Sequence, residues 1–329
     1  MGRKVVQHRI FDLTLLLLVL VVVVSLRMTL WPSEGEAVEN VATPIGAILQ
    51  LWQSKMPVVS VIIWAVTILI VGLGLGRLGV RYSIYPAYTL MAIPLFGVTA
   101  CAVVGSGEFL QTAAAIALTY MATRSMVRFI MRTERFGDLS LAMLYFGVLP
   151  LVYAPASVLY VVLPLLGLFV RSSWRDVVVA VASILLPPFA VCYWGWCCGG
   201  EFSAPIVEMW ESVMTDSGYH FFGALNFATI ALLGVIVLMI FCAVALLVSD
   251  RYAIKSKSRA TLRFNALMLP LLMALFFLPA ATPTLFGIVA VPLAMLVPLF
   301  FVRMGIGITE LCYRLMLLTA AANIVLMAF

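Results

Sequence analysis

The sequence predicts an all-α fold: a polytopic transmembrane helical bundle of about 11 spans with its N-terminus in the cytoplasm. Three observations lead there. Of 329 residues, 64% are hydrophobic and 10% are Asp, Glu, Lys or Arg, whereas soluble domains carry about 45–50% and about 25%. A mean hydropathy of +1.16 leaves too little polar surface for a water-soluble globule, which excludes soluble enzyme, disordered tail, disulfide mini-protein and coiled coil alike. Runs such as 13–26 and 228–248 are apolar on every face; barrel strands would alternate at period two, and lipid satisfies no open backbone hydrogen bonds. Third, the basic residues segregate by loop, as shown below.

A span needs about 20 apolar residues. Such stretches fall at 11–30, 57–76, 83–104, 108–128, 138–153, 155–170, 177–197, 222–248, 264–281, 284–302 and 306–328, giving one integral membrane domain over 1–329. The first run follows the basic stretch RKVVQHR but has no small-x-small cleavage pattern before Trp31, so it is expected to stay as a span rather than be removed as a signal peptide. Residues 31–56 begin acidic and continue with Ile45, Ile48, Leu49, Leu51 and Trp52 at helical spacing, the pattern of a helix lying in the membrane interface. Residues 199–220 repeat it, with Phe202, Ile206, Met209, Trp210 and Val213 on one stripe and Glu208 and Glu211 off it. Between the spans 155–170 and 177–197, Arg175 is expected to cap the preceding helix and pair with Asp176, whereas Lys257 is expected in a longer, flexible loop.

With the N-terminus inside, 18 of the 20 Lys and Arg fall on inner loops and only Arg27 and Lys55 outside. The acids lean the other way: Glu34, Glu36, Glu39, Glu108, Glu201, Glu208, Glu211 and Asp216 are outside. The net charge of +6 is therefore a topology signal placing the chain in a bacterial inner membrane, its basic loops against anionic lipid. It is not a nucleic-acid footprint.

Familiar motifs dissolve on inspection. Gly74–Gly79 matches GxGxxG, but it ends a transmembrane helix and no acid occurs between Glu39 and Glu108, so no dinucleotide site is expected. Gly72 and Gly76 instead form a small-xxx-small face for a neighbouring helix. The six cysteines lack a CxxC spacing, and His8 and His220 are the only histidines, so neither metal nor cofactor is expected. Ionisable groups are nearly absent from mid-membrane, with Asp12 and the Glu310–Arg314 pair near span ends, which disfavours a coupled transporter but leaves a carrier of hydrophobic molecules open.

Segment 105–190 carries Arg124 and Arg128 at the end of a span, then a span pair closing on Arg171, Trp174, Arg175 and Asp176, then a helix ending at Pro187. In this it resembles an uncharacterised family of Bacteroidetes multi-pass inner-membrane proteins, a resemblance over about a quarter of the chain that brings no activity with it. The layout is also similar to the C-type glycosyltransferases, which use polyprenyl-phosphate sugar donors: an N-in first helix, an acidic first outer loop with interfacial helices, and spans joined by short loops. That similarity implies a catalytic base in the first loop, at Glu34, Glu36 or Glu39. The chain departs from the pattern in having no adjacent acidic pair after the first span and no soluble domain after the last.

Two functional readings follow. In one, an envelope-assembly protein handles or transfers a lipid-linked glycan or lipid head group at the outer leaflet, with Arg27, Lys55 and His220 as substrate-binding candidates and one of the three first-loop glutamates as base. In the other, a non-catalytic membrane subunit docks a cytoplasmic partner through its basic inner loops.

Overall fold

The computed structural model describes residues 14, 16–22, 24–25, 43–102, 107–132, 136–160, 163, 174–218, 223, 225–249 and 254–328. Among them the secondary structure is helical, with no strand. The N-terminal helical residues within 14–25 are α1. There follow α2 (Pro44–Lys55), α3 (Pro57–Arg81), α4 (Ala92–Cys101), α5 (Phe109–Met131), α6 (Phe136–Val152), α7 (Trp174–Cys197), α8 (Ala204–Met214), α9 (Phe227–Ser249), α10 (Ser256–Ala274), α11 (Thr284–Leu296), α12 (Pro298–Arg303) and α13 (Ile306–Ala328). Six helical stretches among the described residues are long and apolar enough to cross a membrane: Pro57–Arg81, Trp174–Cys197, Phe227–Ser249, Ser256–Phe277, Thr284–Arg303 and Ile306–Leu326. Helices α4 and α6 are apolar but shorter. Most of the expected spans 11–30 and 155–170 lies outside the described residues.

The stretch Thr284–Arg303 is the pillar of the bundle. It is 94% buried, against 28–50% for the other five, and a helix that is apolar all round and buried all round belongs in the middle. Helix α5 packs beside it and is buried along most of its length, which explains why its Gln111, Thr112, Thr119 and Thr123 are tolerated: they meet protein rather than lipid.

The expected span 83–104 resolves differently. Among its described residues, 92–101 form the short helix α4, and residues 82–91 form a turn in which Ser83 has φ 45°. Tyr85 pins that turn to the pillar, its hydroxyl donating to the Met295 carbonyl at 2.7 Å. Hydropathy read the stretch as membrane-embedded because it is buried, not because it is helical.

Helix crossings rest on glycine. A Cβ on Gly72 would lie 2.6 Å from Leu17 of α1, and one on Gly76 would lie 2.8 Å from Ile93 of α4, so the small-xxx-small face does seat its neighbours. At the α6–α7 crossing a Cβ on Gly147 would collide with the Ile184 carbonyl oxygen. That carbonyl is free of the usual helical bond because Pro188, four residues on, has no N–H to donate.

Hydrogen bonds sort the helix ends into two groups. At one end, Thr43 Oγ1 donates to Val152 O (3.1 Å), Thr282 N to Tyr153 Oη (3.0 Å) and Ser217 Oγ to Pro279 O (3.0 Å). At the other, Lys257 Nζ donates to Met131 O (3.0 Å) and Ser258 Oγ to Ser83 O (3.3 Å). Most of the described charges follow this division, with Asp138 at the second end as an exception. Glu108, Glu201, Glu208, Glu211 and Asp216 share the first end with Lys55; Arg77, Arg81, Arg124, Arg128, Arg132, Lys255 and Lys257 crowd the second. Lys257 is thus in the first turn of α10, bonded to the end of α5 rather than loose in a loop, while Arg175 is exposed in the first turn of α7. The segment Arg175 was expected to cap lies outside the described residues.

Candidate functional site

The acidic end is built around α2. Its Ile48, Leu51 and Trp52 face outward, as an interfacial helix presents apolar side chains to lipid, while its glutamines face the bundle. Gln50 Nε2 donates to Gln111 Oε1 at 3.2 Å and reaches Glu108 Oε1 at 3.5 Å. Gln111 Nε2 in turn donates to the Val152 carbonyl at 2.8 Å. Thr284 Oγ1 donates to the other Glu108 oxygen at 3.3 Å and shares a 2.9 Å hydrogen bond with Thr112. Burial pushes the Glu108 carboxyl above the usual glutamate range, and the Thr284 hydroxyl pulls only partly against it. The second expected interfacial segment is α8, seated by Met209 and Val213 with Ile206 and Trp210 exposed.

Of the residues expected to form an outer site, Arg27, Glu34, Glu36, Glu39 and His220 lie outside the described residues. Lys55 is described: it is exposed in the last turn of α2, where a cation complements the helix dipole.

The basic end holds an open cleft of about 540 Å³ between the ends of α3 and α5. Five arginines line it: Arg77 and Arg81 from α3, Arg124, Arg128 and Arg132 from α5, together with Ile70, Leu73, Gly74, Tyr82 and Tyr120. The spacing is why they converge. Residues four apart stand one above the other on a helix, so each helix presents one arginine ladder to the other. Gly74 lets the two helices close at the head of the cleft, because a Cβ there would collide with the Tyr120 hydroxyl. The GxGxxG-like stretch is accounted for by packing at Gly72, Gly74 and Gly76.

Arg128 is the most constrained of the five. Its Nε lies 3.4 Å from Asp138 Oδ1 in the first turn of α6, and its Nη2 donates to Ser125 Oγ at 3.1 Å. Arg128 Nε and Asp138 Oδ2 are nonetheless buried without hydrogen bonds. Buried polar atoms left unsatisfied are uncommon and mark places where a further partner fits. The guanidinium forks of Arg77, Arg81, Arg124 and Arg132 carry no such described acid. A second cavity of about 470 Å³ lies at the same end, under the 83–89 turn and beside Lys255.

Like-charged side chains crowded around one cleft repel each other, and at a membrane surface that cost is offset when an anion enters. Arginine pairs bidentately with phosphate oxygens, and the cleft opens beside Ile70, which is 60% exposed, at the lipid-facing flank of α3. The geometry suits a phosphate group attached to an apolar chain. Sequence reasoning counted these arginines as a topology signal and overlooked the site. The i,i+4 spacing was visible, but which helices pair was not.

Among the described residues no group of three or more His, Cys, Asp or Glu stands ready to hold a metal ion. In comparisons with known proteins the chain matches no family model, no curated protein and no solved structure.

Proposed function

We propose that this is an integral inner-membrane protein of cell-envelope assembly that handles a phosphate-bearing lipid, with the head group held in the arginine cleft. The convergence of five arginines on one cleft that opens beside lipid-facing Ile70 carries this reading. Basic pockets between membrane helices on the cytoplasmic side commonly receive anionic head groups. The positive-inside rule places this end in the cytoplasm, so the lipid is taken from the inner leaflet. Arg27, Glu34, Glu36, Glu39 and His220 lie outside the described residues, so this reading sets an inner-leaflet site beside the outer one expected from the sequence.

A second reading has an observation of its own. Glu108 is a buried carboxyl beside the interfacial helix α2, and burial raises its pKa above the usual glutamate value. Head-group transfer at the acidic end would find a carboxyl there as well as the first-loop glutamate expected as base.

Native mass spectrometry of the purified protein tests the first reading, with phosphatidylglycerol competing against phosphatidylcholine. A basic residue near the surface contributes about 1 kcal/mol toward an anionic lipid. The double variant Arg77→Gln/Arg124→Gln should then lose roughly 30-fold in preference. Equal preference in the variant and the parent protein would place the anionic lipid elsewhere and leave the basic end to a protein partner.

A further inference from the structure

From the register of the two ladders we infer that the cleft takes a lipid carrying two phosphate groups, as a diphosphate or as two linked phosphodiesters, with its hydrocarbon chain laid along α3. This rests on the reading of the cleft as a phosphate-lipid site and narrows its ligand.

Helices α3 and α5 both run from the acidic end to the basic end, so they are parallel neighbours. Two contacts fix their register. The Trp64 ring meets the Phe109 ring edge-on at 5.8 Å between centroids, and Gly74 lies against Tyr120. Both contacts join residues about 45 positions apart, one near the start of the helices and one near the cleft, so the register holds along the pair. Carried to the end of the helices, it sets Arg124 one to two residues below the level of Arg77 and Arg128 the same distance below Arg81, an offset of about 2–3 Å at 1.5 Å per residue. The arginines therefore stand in two tiers about 6 Å apart, one helical turn at 1.5 Å per residue. Arg132, four residues beyond Arg128, stands one turn further toward the end of α5. A single phosphate held bidentately by the upper tier leaves the lower one unmatched.

Charge counting agrees. Among the described residues, Asp138 is paired with Arg128, and Arg77, Arg81, Arg124 and Arg132 line the cleft beside that pair. One phosphodiester brings a single negative charge; a two-phosphate head group brings two or more, one for each tier. The chain's path is also marked. Above the tiers, Ile70, Val66, Ile63, Ile62 and Val59 form one stripe along α3, each between 44% and 60% exposed. They run along α3 from the cleft to its start at the acidic end, an exposed apolar face against which a lipid chain can lie.

The test compares three probes on the full-length protein in phosphatidylcholine nanodiscs: phosphatidylglycerol with one phosphate, diphosphatidylglycerol with two, and inorganic diphosphate. The two-phosphate lipid should bind at least about 10-fold more tightly than the one-phosphate lipid, since it engages a second pair of arginines. Arg81→Gln should weaken the two-phosphate lipid more than the one-phosphate lipid and bring the two to within a few-fold of each other. Equal binding of the two lipids by the parent protein would overturn the two-phosphate inference and leave the broader reading standing. Inorganic diphosphate binding as tightly as the lipid would overturn the role of the α3 stripe. No preference for either anionic lipid over phosphatidylcholine would overturn the reading beneath both.

Discussion

Replacing Asp138 by asparagine should weaken the fold and tighten the ligand, an opposition few other accounts of this cleft would predict. Asp138 lies 3.4 Å from Arg128 Nε, with the two side chains 13% and 27% exposed. The pair is neither fully buried nor on the open surface. Breaking exposed pairs costs about 0.2–1 kcal/mol and breaking buried ones about 3–5, which puts Asp138→Asn at about 1–2 kcal/mol. Asp138 also sits in the first turn of α6, where an acid complements the helix dipole by about 0.3–1 kcal/mol. The apo protein should therefore unfold at a lower temperature. At the same time the substitution frees Arg128 for an incoming phosphate, worth about 1 kcal/mol or roughly fivefold in affinity. Thermal unfolding in neutral-lipid nanodiscs, with and without phosphatidylglycerol, reads both effects: a lower midpoint without the anionic lipid and a larger upward shift with it. Unchanged or weaker lipid binding by Asp138→Asn would show that Arg128 does not face the ligand, and the reasoning about the cleft would fail with it.

Two further predictions test the frame around the site. Gly147→Ala should destabilise by about 3 kcal/mol, the upper end for overpacking, because the new Cβ meets the Ile184 backbone and lies 3.1 Å from Pro187 Cδ; an unchanged unfolding midpoint would mean that α6 and α7 are not held at that crossing. Glu108→Gln bears on pH. The folded protein holds the Glu108 proton more tightly than the unfolded chain does, so the parent should lose stability as pH rises from the usual 4.5 through the raised folded value. The glutamine variant should lack that decline and be the more stable of the two above it. Parallel stability–pH curves for the two proteins would contradict the burial of that carboxyl.

Long apolar elements were legible from the sequence because one signal decides them. The expected 57–76 and 177–197 spans reappear as α3 and α7, each extended at one end by polar or interfacial residues that hydropathy does not weigh, and 306–328 reappears as α13 with the same bounds. The turn at 82–91 was missed because burial and helicity look alike in a hydropathy window, and the positive φ of Ser83 has no compositional mark. At the acidic end, Gln50 and Glu108 are 58 positions apart, so nothing local announces that an interfacial helix is tied to a core carboxyl. The arginine ladders were in plain view as i,i+4 pairs. Two solvated helix ends would show the same spacing, and only the parallel packing of α3 on α5 through Gly74 and Tyr120 turns them into one cleft. Lys257 teaches the same lesson, since its partner is a carbonyl 126 residues away.

The location of the lipid is the central claim, and photocrosslinking tests it most directly. A phosphatidylglycerol analogue with a photoactivatable group next to the head group, activated in nanodiscs and mapped by peptide mass spectrometry, should label the peptides of α3 and α5 that flank the cleft, around Leu73, Tyr82 and Tyr120. Competition by unlabelled diphosphatidylglycerol should remove that label. Labelling spread evenly over the lipid-facing helices, or concentrated on α2 and α8 at the acidic end, would contradict the account.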